Sequence, residues 1–269
     1  MKSTTTKNYN LPKIIEFHDI TEKPTWRITS LKIQKFIKII EVLRSSFQIR
    51  EPSKFLQEKN GIIISFDDAL YDIYKYAYPI LEKNNVKATI AVICGYIGKV
   101  NRWDLWGGEN LHMGGKEIKE LVNKGWMPLS HSMTHRDLTK LSDKILEEEL
   151  VLSKKILEDL VGREVEGIVY PFGRYDKRVV MKAMEVGYRF GLAAAVVAKE
   201  KKIPWYMQIP RIPFYSIDPI FMIKKKIKNG ILKKIDEKKN ILMNKISLFT
   251  VFFKRKTLRF SPLQVLQDF

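Results

Sequence analysis

The sequence predicts a parallel α/β fold of six or seven strands, closed as a barrel or open as a doubly wound sheet. Three observations carry the prediction. Short apolar runs recur that are continuous rather than alternating in polarity, amphipathic segments lie between them, and the alternation persists over roughly 210 residues. A strand covered on both faces has no solvent side for polar residues, so continuous apolar runs are what a parallel sheet demands.

In chain order the first run is "KIIEF" (13–17), followed by an amphipathic stretch at 31–45. "GIIISF" (61–66) precedes a helical pattern at 71–84, and "KATIAVI" (87–93) precedes another at 116–124. "WMPLS" (126–130) leads into the segment 142–162, where Leu146, Leu150, Leu157 and Leu160 fall near one face. Ser142 is its N-cap candidate and Gly162 its stop. "GIVY" (167–170) precedes a helix at 175–187, capped by Asp176 and terminated by Gly187. "FGLAAAVV" (190–197) and a weaker run, "YMQIPRI" (206–212), complete the set. No internal repeat is evident, and no G-x-G-x-x-G or G-x-x-x-x-G-K-[ST] follows a strand, which removes support from nucleotide-binding readings.

A chain of 269 residues holds one large α/β domain or two small ones, and 45% hydrophobic content excludes general disorder. The longest apolar runs, at 190–198 and 246–253, fall short of the ~18 residues that a membrane-spanning helix needs. The polar opening "MKSTTTKNYN" precedes no long apolar segment of a secretory leader, and the single cysteine, Cys94, cannot form an internal disulfide. A cytoplasmic location is the expectation. Charge is unevenly placed: 48 Lys and Arg against 30 Asp and Glu give +18, and residues 217–269 hold 13 basic and 4 acidic residues, or +9 of that total. Such an excess attracts anionic surfaces.

In parallel α/β folds, functional groups gather beyond the C-terminal ends of the strands. "GIIISFDDAL" ends a run in Asp67 and Asp68, "WMPLSHSMTH" ends one in His131 and His135, and "GIVYPFGRYD" ends one in Pro171, Phe172 and Gly173. Two imidazoles at i and i+4 meet one ion if the segment makes a single helical turn. Asp68 would complete a His₂Asp set, which leaves a coordination position open for chemistry. The neighbouring Asp67 cannot point in quite the same direction and is placed to act as a base.

These three segments together resemble the polysaccharide deacetylase family, the NodB-homology or carbohydrate esterase family 4 group. "SFDDAL" is similar to its T-F-D-D-G motif, "HSMTH" to its H-[ST]-x-x-H motif, and "YPFG" to its R-x-P-[YF]-G motif. "IIEFHDI" resembles an N-terminal Y-H strand seen in many members, and the resemblance runs from about Pro12 to Pro213. It implies a deformed (β/α) barrel of about seven parallel strands over 1–216, followed by a basic, helical C-terminal extension over 217–269. It also implies a divalent metal, zinc in most members, with cobalt, nickel or manganese able to serve. On matching positions Asp68, His131 and His135 take the ligand roles, Asp67 the base, and Phe172 the backbone N–H that binds an oxyanion.

Two departures stand out. The arginine of the third motif, which orients the base, is missing, since Val169 and Tyr170 precede Pro171. Arg211, in "IPRI" at the end of a late run, is the candidate to supply that cation from elsewhere. The family's late L-x-H motif, source of the usual general acid, is also absent, because no histidine follows His135. His18, at the end of the first run, and His112 are candidates for the acid beside some other group, and His112 reads more readily as a loop residue. Trp103, Trp106 and Trp126 read as packing residues before sugar-stacking ones.

The implied activity is hydrolysis of a C–N bond other than a peptide bond. Acetyl groups would leave an N-acetylated, or O-acetylated, sugar of a polysaccharide or lipid-linked glycan in cell-envelope glycan biosynthesis. Two alternatives stand beside it: a deformylase or other C–N hydrolase on a lipid-linked amino sugar, and an inactive deacetylase-like protein that binds glycan or membrane. In the tail, "DPIFMIKKKIKNG" reads as a helix with Asp218 as cap and Pro219 at N1, on which Ile220, Ile223 and Ile227 share a face. A basic amphipathic helix of this kind can lie on an anionic membrane, and the competing expectation is a helix that packs on the barrel. A peripheral position at the inner membrane face is therefore expected if the helix is free; a nucleic-acid partner is not.

Overall fold

A computed structural model of the chain describes residues 11–22, 27–54, 56–100, 110–194 and 202–228. Seven parallel strands close into a barrel: β1 (Lys13–Phe17), β4 (Ile62–Phe66), β5 (Ala88–Val92), β6 (Met127–Ser130), β7 (Gly167–Val169), β8 (Phe190–Ala194) and β9 (Ile209–Pro213). Closure comes from β1, which pairs with β4 through Ile14 and Ile63 and with β9 through Ile14 and Arg211. All seven predicted runs are strands, and the choice between barrel and open sheet is settled as a barrel.

Helices α1 (Ile33–Ser46), α3 (Gly115–Asn123), α4 (Asp143–Val161) and α5 (Lys177–Glu185) fill the predicted helical windows. The Asp176 carboxylate caps α5 by accepting the Val179 N–H at 2.8 Å. Ser142 stands at the N-cap of α4 without a side-chain bond, and Gly162 ends the helix in the left-handed conformation (φ 68°). The window 71–84 is less regular than predicted. A π turn at Ile73–Ala77 precedes α2 (Tyr78–Lys83). Pro79 has no N–H to donate to the carbonyl one turn earlier, and the wider turn accommodates it. Two three-residue strands, β2 (Asp19–Thr21) and β3 (Ser30–Lys32), form a small side sheet pinned by Ser30 Oγ donating to Asp19 Oδ2 at 2.7 Å. They are too short to show a periodicity.

Strand residues alternate between two cores. Ile14, Ile63, Ala91, Leu129, Val169, Leu192 and Ile209 form a small cluster inside the barrel. Their neighbours Ile15, Ile62, Ile64, Ile90, Ile168 and Ala193 join the larger cluster under the helices. There Phe17 meets Phe36 edge-on at 5.4 Å, and Phe66 stacks on Trp126 at 5.7 Å. Extending the inward alternation two residues along β1, β4 and β9 places Glu16, Ser65 and Arg211 above the apolar plug. The barrel floor is therefore oil and its mouth is polar, which confines the chemistry to one rim.

The start of the extension packs on this body. α6 (Ile223–Lys228) buries Ile223 and Ile227 in the larger core, with Ile220 packed against it. The apolar face predicted for a membrane helix is thus already covered over 220–227. Asp218 is not a helix cap: its Oδ2 accepts from the Tyr215 N–H at 2.9 Å and from Lys226 Nζ at 2.8 Å, and Pro219 is the capping position. Residues 229–269, with most of the predicted basic extension, lie outside the described residues.

Candidate active site

The three predicted strand-end segments meet at the C-terminal mouth of the barrel. Asp67 directly follows β4, and its N–H donates to the Phe17 carbonyl at 2.9 Å. Beyond it the chain turns sharply: Asp68 (φ 67°) and Ala69 (φ 49°) are left-handed. Left-handed non-glycine residues recur at Ser132 (φ 64°), His135 (φ 56°) and Phe172 (φ 59°). Each costs about 1–2 kcal/mol, so five of them at one rim need external restraint. The His131–His135 segment is accordingly a bent loop, not the single helical turn predicted from the i, i+4 spacing.

The loop nonetheless brings the imidazoles together. His131 Nε2 lies 3.6 Å, and His135 Nε2 3.7 Å, from Asp68 Oδ1. These separations exceed a good hydrogen bond. They are close to the ~3.4 Å expected between donors about 2.0–2.1 Å from one tetrahedral cation. His131 Nδ1 stands 2.7 Å from the Val169 carbonyl, which can only accept, so Nδ1 carries the proton and Nε2 turns its lone pair toward Asp68. Burial pushes His131 down to about 4, against the pull of Asp67 and the Val169 carbonyl, so the ring is neutral at neutral pH. Two imidazoles and a carboxylate fit a zinc-like divalent ion.

Arg211, on β9, reaches Asp67 past the single intervening strand β1, with Nη1 2.5 Å from Asp67 Oδ1 and both side chains buried. Burial alone would raise the Asp67 carboxyl, but Arg211, then His131 and His18, outweigh it and hold it below the usual carboxylate range. His18 sits at the rim with its Nε2 3.5 Å from Glu16 Oε1, and is partly exposed. Phe172 packs its ring edge-on against His135 at 4.6 Å, within the Pro171–Gly173 turn. Gly173 (φ 64°) makes that turn possible, because a Cβ there would fall 2.3 Å from Ala194 Cβ. Every predicted site residue among the described ones is therefore at this mouth.

Three residues support the site, and sequence reasoning missed the role of each. His112, read as a loop residue, lies between named elements but is buried, and its Nδ1 lies 2.6 Å from the Asp68 carbonyl, bracing the left-handed turn. Glu149 of α4 is fully buried and accepts the Met133 and Thr134 N–H groups, each at 2.9 Å, on Oε2, while the Thr134 hydroxyl donates to Oε1. Glu16 lies inside the mouth beside Arg211. Carboxylates inside the apolar run "KIIEF" and on the Leu146–Leu150 face of α4 were the available signals. Trp126 is a core residue, 0% exposed, and Trp103 and Trp106 lie outside the described residues.

The histidines predict an acid sensitivity. Burial pushes His112 down to about 4, outweighing its bond to the Asp68 carbonyl. Its folded value is depressed below the unfolded value near 6.5, so the unfolded chain binds more protons in that interval. Its contribution is fully present above about pH 6.5 and lost as pH falls toward 4, by about 3 kcal/mol in all for a shift of this size. Denaturant titrations of metal-free protein between pH 7 and 4 should show this fall. A His112→Gln variant should show a shallower one; an equal slope would remove His112 as its source.

Comparison with known proteins adds an independent line. A family model described as polysaccharide deacetylase matches residues 56–191. The chain is 28% identical over 196 residues to the putative polysaccharide deacetylase YxkH of Bacillus subtilis, covering 70% of this chain and 66% of that protein. It is 31% identical over 190 residues to a poly-beta-1,6-N-acetyl-D-glucosamine N-deacetylase of Staphylococcus aureus, covering 66% of this chain and 60% of that protein. The chain thus spans less than two thirds of the length of these curated relatives. Its fold matches that of the Streptococcus pyogenes deacetylase PplD solved with acetate, with a TM-score of 0.66 at 21% identity, covering 81% of this chain and 98% of that one.

Proposed function

Because the chain belongs to the polysaccharide deacetylase family, we propose that it is a metal-dependent hydrolase that removes acetyl groups from the N-acetylated sugars of a glycan. One observation carries the reading: Asp68, His131 and His135 converge on a common point, with Asp67 held beside them by Arg211. The S. aureus relative, whose name specifies a poly-N-acetylglucosamine substrate, supports an amide over an ester.

Asp68 Oδ1, His131 Nε2 and His135 Nε2 would hold a divalent ion, zinc being the best match to this donor set. When bound, such an ion polarises the acyl carbonyl and lowers the pKa of water from 15.7 toward about 7. The residues do the rest. Asp67, kept ionised and oriented by Arg211, accepts the proton of the attacking water. The Phe172 N–H donates to the oxyanion of the tetrahedral carbon; a donor of that kind contributes about 3–4 kcal/mol in the transition state. As the C–N bond breaks, the nitrogen must gain a proton, and His18, after β1 and close to Asp67, supplies it as general acid.

Metal analysis and product assay test this directly. The purified protein should bind about one zinc-like ion per chain, lose it in His131→Ala, and release acetate from N-acetylglucosamine oligomers. Failure to bind any divalent ion with both histidines intact would end the hydrolase reading. Formate release from N-formyl sugars without acetate release would redirect it to a deformylase.

A further inference from the structure

Glu16 is a buried carboxyl residue directly above the apolar plug of the barrel, and the proposed mechanism leaves it without a task. Burying a carboxylate there is costly unless it is paired. The charged and titratable groups that act on it come from its own strand and the elements packed beside it: His18 after β1, Asp67 after β4, Arg211 on β9 and Lys226 on α6. The two oxygens are used separately. Oε1 faces His18 Nε2 at 3.5 Å, and Oε2 faces Arg211 Nε at 3.6 Å. Arg211 is committed elsewhere, since its Nη1 is 2.5 Å from Asp67. Glu16 is therefore the junction between the arginine that holds the base and the histidine assigned as the acid.

Resting on the general-acid assignment of His18, we propose that Glu16 is the positioning residue of that acid: its carboxylate accepts from His18 Nε2–H and fixes the orientation of the ring. Nδ1 is then left to carry the transferable proton. In the step itself, the Nδ1–H bond of His18 breaks, the departing nitrogen takes the proton, and the electrons of the C–N bond become the lone pair of the amine. His18 is left neutral and is recharged from solvent. A contact of 3.5 Å is loose for a hydrogen bond, as catalytic contacts are before substrate binds.

Two competing assignments of the same atoms are weaker. Glu16, His18 and Asp67 also offer donor atoms within 4.8 Å of one another, the spacing of a second cation site. Arg211 already lies against both carboxylates, and its positive charge opposes a metal there. Glu16 could also serve Arg211 alone, as a counter-ion. That assignment ignores the contact to His18 and makes a different prediction. Burial, the largest influence, raises the Glu16 carboxyl, with Arg211 opposing and Asp67 adding to the rise. The group thus shares a proton with a neighbour more readily than a surface glutamate does.

The test uses the full-length zinc-loaded protein and two substrates that differ in their need for an acid. An N-acetylglucosamine oligomer has an amine leaving group that must be protonated, whereas 4-nitrophenyl acetate has one that leaves without a proton. Glu16→Gln should lower kcat on the oligomer by about 10–100-fold, with KM and bound zinc unchanged. Its rate on 4-nitrophenyl acetate should change less than about 3-fold, and His18→Gln should show the same selectivity more strongly. Equal losses of Glu16→Gln on both substrates, or an undiminished amide rate, would overturn the role of Glu16 while leaving His18 in place. A His18→Gln variant with full amide turnover would overturn the acid assignment and this inference with it. Wild-type protein inactive on both substrates would remove the deacetylase reading beneath them.

Discussion

Replacing Asp67 by Asn should leave a folded protein that still binds its metal but turns over about 10²–10⁴-fold more slowly, the usual worth of a general base. The expectation rests on separate placement of two adjacent carboxylates. Asp68 turns toward His131 and His135, at 3.6 and 3.7 Å, while Asp67 Oδ1 is bonded to Arg211. Asparagine keeps the volume and an oxygen that accepts from Arg211, so the packing of the mouth survives, but it cannot take a proton from water. The loss should fall on kcat, because the ligand set that would bind the substrate carbonyl is untouched. Zinc content and the rate of acetate release from N-acetylglucosamine oligomers are the measurements. Full turnover would refute Asp67 as the base. Loss of zinc would instead make it a ligand.

Arg211→Lys should reproduce part of this defect. A lysine ammonium is a point donor on a flexible stem and cannot contact Asp67 and Glu16 from two different nitrogens of one plane, as the guanidinium does through Nη1 and Nε. A defect of a few-fold to about 100-fold in kcat, with bound zinc unchanged, is expected. An activity equal to wild type would show that the cation's charge suffices without its geometry.

What was legible in the sequence follows from what each feature depends on. The strands were legible because burial on both faces leaves continuous apolar runs, and the helix α5 because Asp176 is a local cap. The proposed ligand residues were legible because two of them are histidines, a rare type in this chain, and all three fall at strand ends. The shape of the loop between them was not. Ser132 and His135 adopt left-handed conformations that no residue type announces there, and Glu149, which holds the loop, lies fourteen positions beyond His135 on another element. The same holds for His112, whose partner is a backbone carbonyl 44 residues away. A missing motif arginine could be traced to Arg211 only as a guess about strand ends, and its bond to Asp67 spans 144 residues of sequence. Long-range polar contacts carry no periodicity, so they become visible only when the barrel closes.

Glu149 should be the most consequential residue that touches neither substrate nor metal. Its Oε2 is the acceptor for the Met133 and Thr134 N–H groups, in a loop whose two left-handed residues would otherwise relax. Glu149→Ala strands three donors, the two N–H groups and the Thr134 hydroxyl, at about 1–3 kcal/mol each and opens a cavity beneath the helix, so a total loss of at least about 4 kcal/mol is expected. Glu149→Gln keeps one carbonyl oxygen for the N–H pair and should lose less, about 1–2 kcal/mol. Because the loop carries both imidazoles, zinc affinity should fall as well, by about 10–100-fold for the alanine variant, the range seen when residues behind metal ligands are removed. Leu146→Ala separates the two effects. It empties a buried site on the same helix and should destabilise the fold by about 2–5 kcal/mol, yet a leucine side chain offers no hydrogen bond to the histidine loop, so zinc affinity should hold. Denaturant midpoints together with competition against a zinc chelator read both quantities. If Glu149→Ala and Leu146→Ala lose zinc affinity equally, the carboxylate stabilises the fold alone; if only the glutamate variant loses it, α4 positions the metal ligands through Glu149.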